Sequence, residues 1–256
     1  MSKKKQIKEE VGAQPEATKK DKSQKIPQRD KLKEKLHIYH REDITEKQKK
    51  FLDIILDKKT NVVFLKGPAG TSKTFLAVYA ALIALSEKQQ SDILYVRAPI
   101  EVGKSIGHLP GSEAEKISVY LAPLYDKIEE LLPKSEAEML LKENRIAGTV
   151  PNYLRGQNWN ARFIIVDESQ NLGAAEMKVI ISRLGKYGKL IFLADESQAD
   201  IRGAVEFIRY FDLFNSEESQ QYGIHALSFT RQDIVRSPIL GYILDRIEGV
   251  YTPPST

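Results

Sequence analysis

The chain has 256 residues, 41% of them hydrophobic, which is enough for one large domain or two small ones with a real core. It contains no cysteine, which excludes disulfides and thiolate metal sites, and its four histidines are scattered without ligand spacing. The longest apolar stretch, residues 75–85, is too short to span a bilayer and the Lys-rich start lacks the apolar run of a signal peptide, so we expect a soluble, cytoplasmic protein.

The N-terminal segment differs from the rest of the chain in charge. Residues 1–36 contain twelve Lys/Arg and six Asp/Glu, a net charge of +6, which leaves −2 of the overall +4 for the other 220 residues. Few apolar residues are present there to offset the entropy lost on ordering. We therefore predict a disordered basic arm at 1–36 and one domain at 37–256. The arm either attracts nucleic acid loosely or only keeps the protein soluble.

The stretch from Val62 to Thr74 reads as an apolar strand, a Gly-rich turn and the start of a helix, the context of a phosphate-binding P-loop. In that motif Lys73 reaches the β- and γ-phosphates and the Thr74 hydroxyl holds Mg²⁺. Ser72 departs from the pattern, because a second Gly belongs at its position and a Cβ there restricts the backbone. The alternative is a turn without a ligand. The nucleotide-binding candidates are Gly67, Pro68, Ala69, Gly70, Thr71, Ser72, Lys73 and Thr74.

Further elements follow from the spacing of apolar residues. Residues 43–57 have one apolar helical face, with Thr45 at its start. Other helices are predicted at 74–85, 113–132 (interrupted by Pro123), 135–144, 174–184, 204–214 and 238–250, and further strands at 93–96, 162–166, 189–193 and 224–229. We expect the excursion over 103–144 to cover one edge of the sheet. Alternating strands and helices predict an α/β P-loop NTPase fold, a mainly parallel sheet with helices on both faces and a single RecA-like core.

Acidic residues follow two of the strands. Because ligands bind at the carboxyl ends of such strands, these residues should meet the P-loop at one edge. Asp167 is expected to hold Mg²⁺ and Glu168 to orient or deprotonate the attacking water. The sequence Asp-Glu-Ser-Gln occurs after both strands. Gln198, in the second copy, is a candidate γ-phosphate sensor, whereas Gln170, in the first, either does the same or caps the next helix.

A glutamine also precedes the P-loop strand. Many helicase-like ATPases contact the adenine edge with a glutamine at this place, so Gln48 is a candidate base contact. The alternative is an exposed surface residue.

Taken together, these motifs resemble the PhoH-like proteins, phosphate-starvation-inducible ATPases similar to the first motor domain of superfamily 1 helicases. The resemblance covers about residues 42–245 and departs from the family pattern at Ser72 and at Ala194. It implies ATP hydrolysis, with RNA or single-stranded nucleic acid as the partner. The segment from Arg97 to Gly111 either contacts that nucleic acid or is only a structural loop at the edge of the sheet. It rests on residues 67–74, 97–104, 108–111, 153–156, 163–170, 182–185, 195–198 and 233–238.

Two other classes of protein stay open. One is a GTP-using switch, although the sequence lacks the Asn-Lys-x-Asp signature of guanine binding. The other is a non-catalytic or weakly catalytic nucleotide-binding scaffold. Helicase-type motors close their site with an arginine from a second motor domain, and this chain has one P-loop set. We therefore expect a homo-oligomer, possibly a hexameric ring, in which a neighbour supplies an arginine. Arg236 is the first candidate, ahead of Arg231 and Arg183. The predicted catalytic set is Lys73, Asp167, Glu168, Gln198 and Arg236.

Overall fold

The computed structural model describes residues 32–98, 113–154, 158–195 and 204–234, with Ile239, Ile243 and Arg246. Within these residues the helices are α1 (Glu46–Leu56), α2 (Lys73–Ser86), α3 (Glu113–Leu131), α4 (Lys134–Lys142), α5 (Ala174–Ser182), α6 (Ala204–Phe214) and α7 (Glu217–Gln221). The strands are β1 (Val62–Lys66), β2 (Asp92–Arg97), β3 (Ile146–Thr149), β4 (Arg162–Asp167), β5 (Lys189–Ala194) and β6 (Ile224–Ser228).

The six strands form one sheet in the order β3-β2-β4-β5-β1-β6, and all the described pairs are parallel. Side chains alternate between its faces. Val63 and Leu65 of β1 pack with buried residues of α1 to α4, whereas Val62 and Phe64 pack with α5 and α6. The α/β fold with a parallel, doubly wound sheet is therefore confirmed. Because β1 and β4 are separated only by β5, their carboxyl ends bring the P-loop and the acidic residues together.

The predicted interruption of α3 at Pro123 is wrong. The helix continues from Glu113 through Pro123 to Leu131, although proline removes one backbone hydrogen bond. Leu121, Leu124 and Ile128 lie in the core beside α2, and this burial offsets the lost bond.

A strand that the sequence did not reveal follows the excursion over 103–144. β3 pairs with β2 and extends the sheet, so residues 146–149 supply its edge strand. Its sequence, Ile-Ala-Gly-Thr, has one large apolar residue, which explains the omission. Gly148 is needed there because an added Cβ would lie 2.4 Å from the Leu121 side chain.

The last residues of the segment predicted as the arm contact the core, and the predicted boundary itself stays a prediction. Leu32 is buried in the core and the Leu36 N–H donates to Ser86 Oγ at 2.9 Å, so packing extends into the segment assigned to the arm. The predicted disorder of residues 1–31 lies outside the described residues, as does most of the predicted helix 238–250. Of the described helices, none is long and apolar enough to cross a membrane.

Candidate nucleotide-binding site

The P-loop joins β1 to α2 with two left-handed residues. Gly70 has φ 84° and Ser72 has φ 60°, and such alternation bends a backbone into a concave anion-binding turn. Thr71 Oγ1 donates to the Pro68 carbonyl at 2.8 Å, which closes the turn. Gly67 lies so near the chain after β6 that a Cβ would stand 2.8 Å from Phe229 Cβ. Ser72, the residue that departs from the P-loop pattern, thus has a backbone conformation that favours glycine.

Lys73, the first residue of α2, is folded against this loop. Its Nζ donates to the carbonyls of Gly67 at 2.6 Å and Pro68 at 2.9 Å. Burial lowers the pKa of Lys73, while Asp195 and Asp167 act in the opposite direction. The ammonium therefore lies in the wall of the pocket against the P-loop, where burial leaves it poorly hydrated.

The predicted metal-binding residues lie side by side. Thr74 Oγ1 donates to Asp167 Oδ2 at 3.1 Å, although the two residues are 93 positions apart in the chain. The same oxygen accepts from the Tyr95 hydroxyl at 2.5 Å, and burial together with Asp167 raises the pKa of that phenol. Hydroxyl and carboxylate oxygens suit Mg²⁺, which usually keeps waters and phosphate oxygens as its other ligands. Among the described residues no cluster of three or more His, Cys, Asp or Glu could hold a metal by itself.

Glu168 occupies a strained position beside Asp167. It has φ 55°, and a left-handed carboxylate residue directly after a strand is typical of a functional turn. Burial and then Asp167 raise the pKa of Glu168, whereas the hydrogen bond from Gln170 and the charges of Arg97 and Lys73 lower it. The Arg97 guanidinium stands 3.5 Å from Glu168 Oε1, so the end of β2 reaches the end of β4 as predicted.

Gln170 has a role that sequence reasoning missed. Its Nε2 donates to Glu168 Oε2 at 2.6 Å and its Oε1 accepts from the Asp195 N–H at 3.1 Å. It therefore joins the segments after β4 and β5 and does not cap α5, whose N-cap is Gly173. The repeated tetrapeptide was the available signal, but nothing in its spacing indicated a bridge between the two copies.

Gln48 is not an exposed residue. It is fully buried, and its Nε2 donates to the carbonyls of Thr71 at 3.1 Å and Asp233 at 3.0 Å. Its Oε1 accepts from the Thr45 N–H at 2.9 Å, within the capping box that starts α1. In this arrangement Gln48 fixes α1 and the P-loop to the chain after β6, and adenine contact would require its side chain to reorient. That contact stays a prediction.

A pocket of about 370 Å³ at the carboxyl edge of the sheet is lined by the P-loop, the acidic residues and Gln170, but not by Gln48. One end is formed by Lys73, Thr74, Glu168 and other residues already described. The other end reaches Arg41, where the guanidinium lies 5.0 Å over the Phe75 ring. The remaining lining residues include Pro123, Lys127, Glu130 and Asp195.

Several predicted residues are not placed. Gln198 and Arg236 lie outside the described residues, as do 99–111 of the Arg97 to Gly111 segment and 155–156 of the Tyr-Leu-Arg-Gly motif. Their roles stay predictions. Arg231 is described in a short 3₁₀ turn after β6. Arg183 follows α5 at the opposite edge of the sheet, so it does not reach the pocket of its own chain.

A strand, a turn with two left-handed residues, a helix led by Lys-Thr and two acidic residues at the end of a nearby parallel strand define a P-loop NTPase-like α/β protein. The PhoH-like protein model matches residues 42–248, and the chain belongs to this family. It is 35% identical over 219 residues to the "PhoH-like protein" of Mycobacterium tuberculosis (strain ATCC 25618 / H37Rv), covering 82% of this chain and 59% of that protein. It is 34% identical over 196 residues to the "PhoH-like protein" of Bacillus subtilis (strain 168), covering 73% and 58%.

The chain thus spans less than two thirds of the length of these relatives. Among solved structures, the large terminase from a thermophilic bacteriophage is similar in fold, with a TM-score of 0.50 and 12% identity over 82% of this chain and 51% of that one. The predicted family and fold are confirmed.

Proposed function

We propose that this protein hydrolyses ATP with Mg²⁺. The contact that carries the proposal is the 3.1 Å hydrogen bond between Thr74 and Asp167, with Glu168 as the next residue. It brings the end of the phosphate loop to the end of β4, where Thr74 and Asp167 would hold a Mg²⁺ that neutralises the charge of the phosphates. A ligand-free structural turn has no need of a buried Asp167 with half-buried Glu168 and Lys73 beside it.

Each residue has a distinct part in this proposal. Lys73 binds the terminal phosphates, and Thr74 and Asp167 hold Mg²⁺. Glu168 orients and deprotonates the attacking water, a task for which a raised carboxylate pKa suits a general base. Gln170 and Arg97 hold that carboxylate in place at the pocket wall.

The base and ribose are assigned to the Arg41 end of the pocket. Helix α2 starts at the phosphates, and its third residue, Phe75, already lies under Arg41. The guanidinium is fixed by Glu130, at 3.2 Å, and by Asp43, at 2.7 Å. A planar cation held in this way offers its outer face for stacking on a purine. Arg41→Ala should weaken ATP binding but leave tripolyphosphate binding unchanged, as measured by calorimetry. An equal loss of affinity for ATP and for tripolyphosphate would show that the adenine base binds elsewhere.

The test of the main proposal is ATP turnover measured beside nucleotide binding. Lys73→Ala should abolish binding, whereas Glu168→Gln should keep binding and stop hydrolysis. Equal turnover in the wild type and Glu168→Gln would remove this carboxylate from the mechanism. Binding without hydrolysis in the wild type, with and without Mg²⁺ and nucleic acid, would favour the scaffold.

RNA or single-stranded nucleic acid is the proposed partner. A neighbouring copy of the chain is the proposed source of an arginine that completes the ATP site. Lys73 already lies near three acids, Asp195, Asp167 and Glu168, so the charge that develops on the γ-phosphate calls for a further cation. Mixing Arg236→Ala with Lys73→Ala chains tests the neighbour directly. Each variant alone should be inactive, and a mixed oligomer should regain part of the activity at interfaces that combine the intact residues. Full activity in a monomer would refute the shared site.

A further inference from the structure

A buried tyrosine on β2 contacts one of the two residues that the proposed function assigns to Mg²⁺. Tyr95 has no exposed surface, and its hydroxyl donates to Asp167 Oδ2 at 2.5 Å. In the sequence Tyr95 is only one member of the apolar run that predicts β2, and the proposed ATP chemistry gives it no part. The motifs therefore do not account for a hydroxyl at this point of the core.

The sheet holds Tyr95 and Asp167 in a fixed relation. β2 and β4 are parallel neighbours, and their register sets Arg97 opposite Asp167. Tyr95 precedes Arg97 by two residues, so both side chains leave the same face of the sheet, the face that α2 covers. The Ala98 N–H donates to the Asp167 carbonyl at 3.0 Å and continues the pairing past the end of β2. One strand thus supports both acidic residues, because Arg97 contacts Glu168 and Tyr95 contacts Asp167.

Three donors hold the Asp167 carboxylate. Its Oδ2 accepts from the Tyr95 hydroxyl and, at 3.1 Å, from Thr74 Oγ1. Its Oδ1 accepts from the Glu168 N–H at 3.0 Å. An ionised carboxylate oxygen has about two acceptor sites, so the two hydroxyls fill Oδ2. Two donors on one oxygen fix the rotation of the carboxylate and keep Oδ2 beside the Thr74 hydroxyl.

Of these three donors, the phenol is the one that lies outside the nucleotide site. Thr74 follows the phosphate loop and is itself a metal ligand in the proposed function, and the Glu168 N–H belongs to a left-handed turn at the pocket wall. Tyr95 lies on a strand with neighbours on both sides, within the core cluster that includes residues of α2 and α3. A donor fixed by such packing sets the orientation of a metal ligand before the metal arrives.

We propose that Tyr95 is a positioning residue for Mg²⁺, because its hydroxyl holds the Asp167 carboxylate in the rotation in which Asp167 and Thr74 receive the ion together. Loss of a hydrogen-bond partner of a metal ligand usually costs about 10- to 100-fold in metal affinity. The inference rests on the proposed function, since it concerns the same Mg²⁺. It assigns no contact with the metal or the nucleotide to Tyr95 itself.

The test is the Mg²⁺ dependence of the binding of a non-hydrolysable ATP analogue, measured by calorimetry so that no turnover is needed. We call the Mg²⁺ concentration that gives half of the gain in affinity the Mg²⁺ midpoint. Tyr95→Phe removes the hydroxyl and keeps the packed ring, and it should raise the Mg²⁺ midpoint by about 10- to 100-fold. Binding of the analogue in EDTA should match the wild type, because the phosphate loop is unchanged.

Tyr79→Phe is the matched control. Tyr79 lies on α2, is 8% exposed and belongs to the same core cluster, and its hydroxyl is 2.6 Å from His40 Nδ1. The substitution therefore also removes a hydrogen bond from a tyrosine of this core, but one that does not reach the acidic residues. The Mg²⁺ midpoint of Tyr79→Phe should equal that of the wild type. Equal rises in both variants would overturn the proposal, because they would trace the effect to general loosening of the core.

A double-mutant cycle shows whether Tyr95 acts through Asp167. Asp167→Ala should leave only a weak Mg²⁺ effect on binding, and adding Tyr95→Phe should not weaken it further, because the group that the phenol positions is already absent. A further loss in the double variant would overturn the proposed route. Thermal unfolding scans check that each variant is folded before the titrations.

The outcomes separate this inference from the proposed function. An unchanged or lower Mg²⁺ midpoint in Tyr95→Phe would overturn the role of Tyr95 and leave the Mg²⁺ site in place. Binding of the analogue to the wild type without any response to Mg²⁺ would overturn the metal part of the proposed function, and the inference with it.

Discussion

Replacing Ser72 by glycine should stabilise the protein slightly. Ser72 has φ 60° and ψ 26°, and its side chain makes no capping hydrogen bond to α2. A left-handed conformation costs an L-residue roughly 1–2 kcal/mol, whereas glycine loses roughly 0.5–1 kcal/mol more entropy on folding. The net gain is about 0.5–1 kcal/mol, which corresponds to a rise in Tm of about 1–4 °C for a chain of this size.

The assay is thermal and chemical denaturation of Ser72→Gly beside Ser72→Ala. Alanine removes the hydroxyl but keeps the Cβ, so its stability should stay within about 0.5 kcal/mol of the wild type. If alanine stabilises the fold as much as glycine does, the Cβ is not the source of the strain. A loss of stability in Ser72→Gly would refute the reasoning altogether.

The same substitution should have a small effect on nucleotide binding. The loop already has its left-handed bend with serine in place, so glycine relieves strain without reshaping the site. A strain of this size changes a dissociation constant by less than about tenfold, the equivalent of about 1.4 kcal/mol. A much larger rise in affinity or turnover would show that Ser72 restricts the site in a way that its backbone angles do not explain.

Three further predictions concern other parts of the site. Burial and a neighbouring carboxylate raise the pKa of Glu168 above its ordinary 4.5, so its ionised form destabilises the fold at neutral pH. Glu168→Gln should therefore have a higher Tm than the wild type at neutral pH, with the difference shrinking as the pH falls through the raised folded-state pKa and vanishing below about 4.5. Gln48→Ala should weaken ATP, GTP and tripolyphosphate binding together if the side chain only braces the loop, whereas a selective loss of ATP would show an adenine contact. Gly67→Ala should destabilise the fold by about 1–3 kcal/mol, since its Cβ would meet Phe229, while Gly173→Ala, whose nearest neighbour would be 3.8 Å away, should change little in the same denaturation assay.

The sequence predicted those elements whose pattern is local. Four of the five predicted strands are continuous apolar runs buried on both faces, and the structure places all of them in the sheet. The helix predicted at 204–214 agrees with α6 over its described residues and ends at Phe214, because its apolar face is regular. β3 and the short α7 were missed, since the pairing partner of β3 and the burial around it are properties of the whole fold.

The site was predictable as a set of motifs but not as a set of contacts. The rule that ligands bind at the carboxyl ends of parallel strands placed Thr74, Asp167 and Arg97 at one edge, and the structure confirms that meeting. The rule did not predict which side chains contact each other. The Gln170 bridge depends on the distance between two strand ends, and that distance is set by β4 and β5 being neighbours in the sheet.

Asp233 shows how far such contacts extend beyond the recognised motifs. Although burial alone would raise its pKa, hydrogen bonds from Thr230 and Thr45 hold the pKa of Asp233 below its usual value. Thr45 starts α1, and Gln48, one turn later, bonds both to the Asp233 carbonyl and to the P-loop at Thr71. The segment that leads to Arg236 is thereby fixed to the phosphate loop of its own chain.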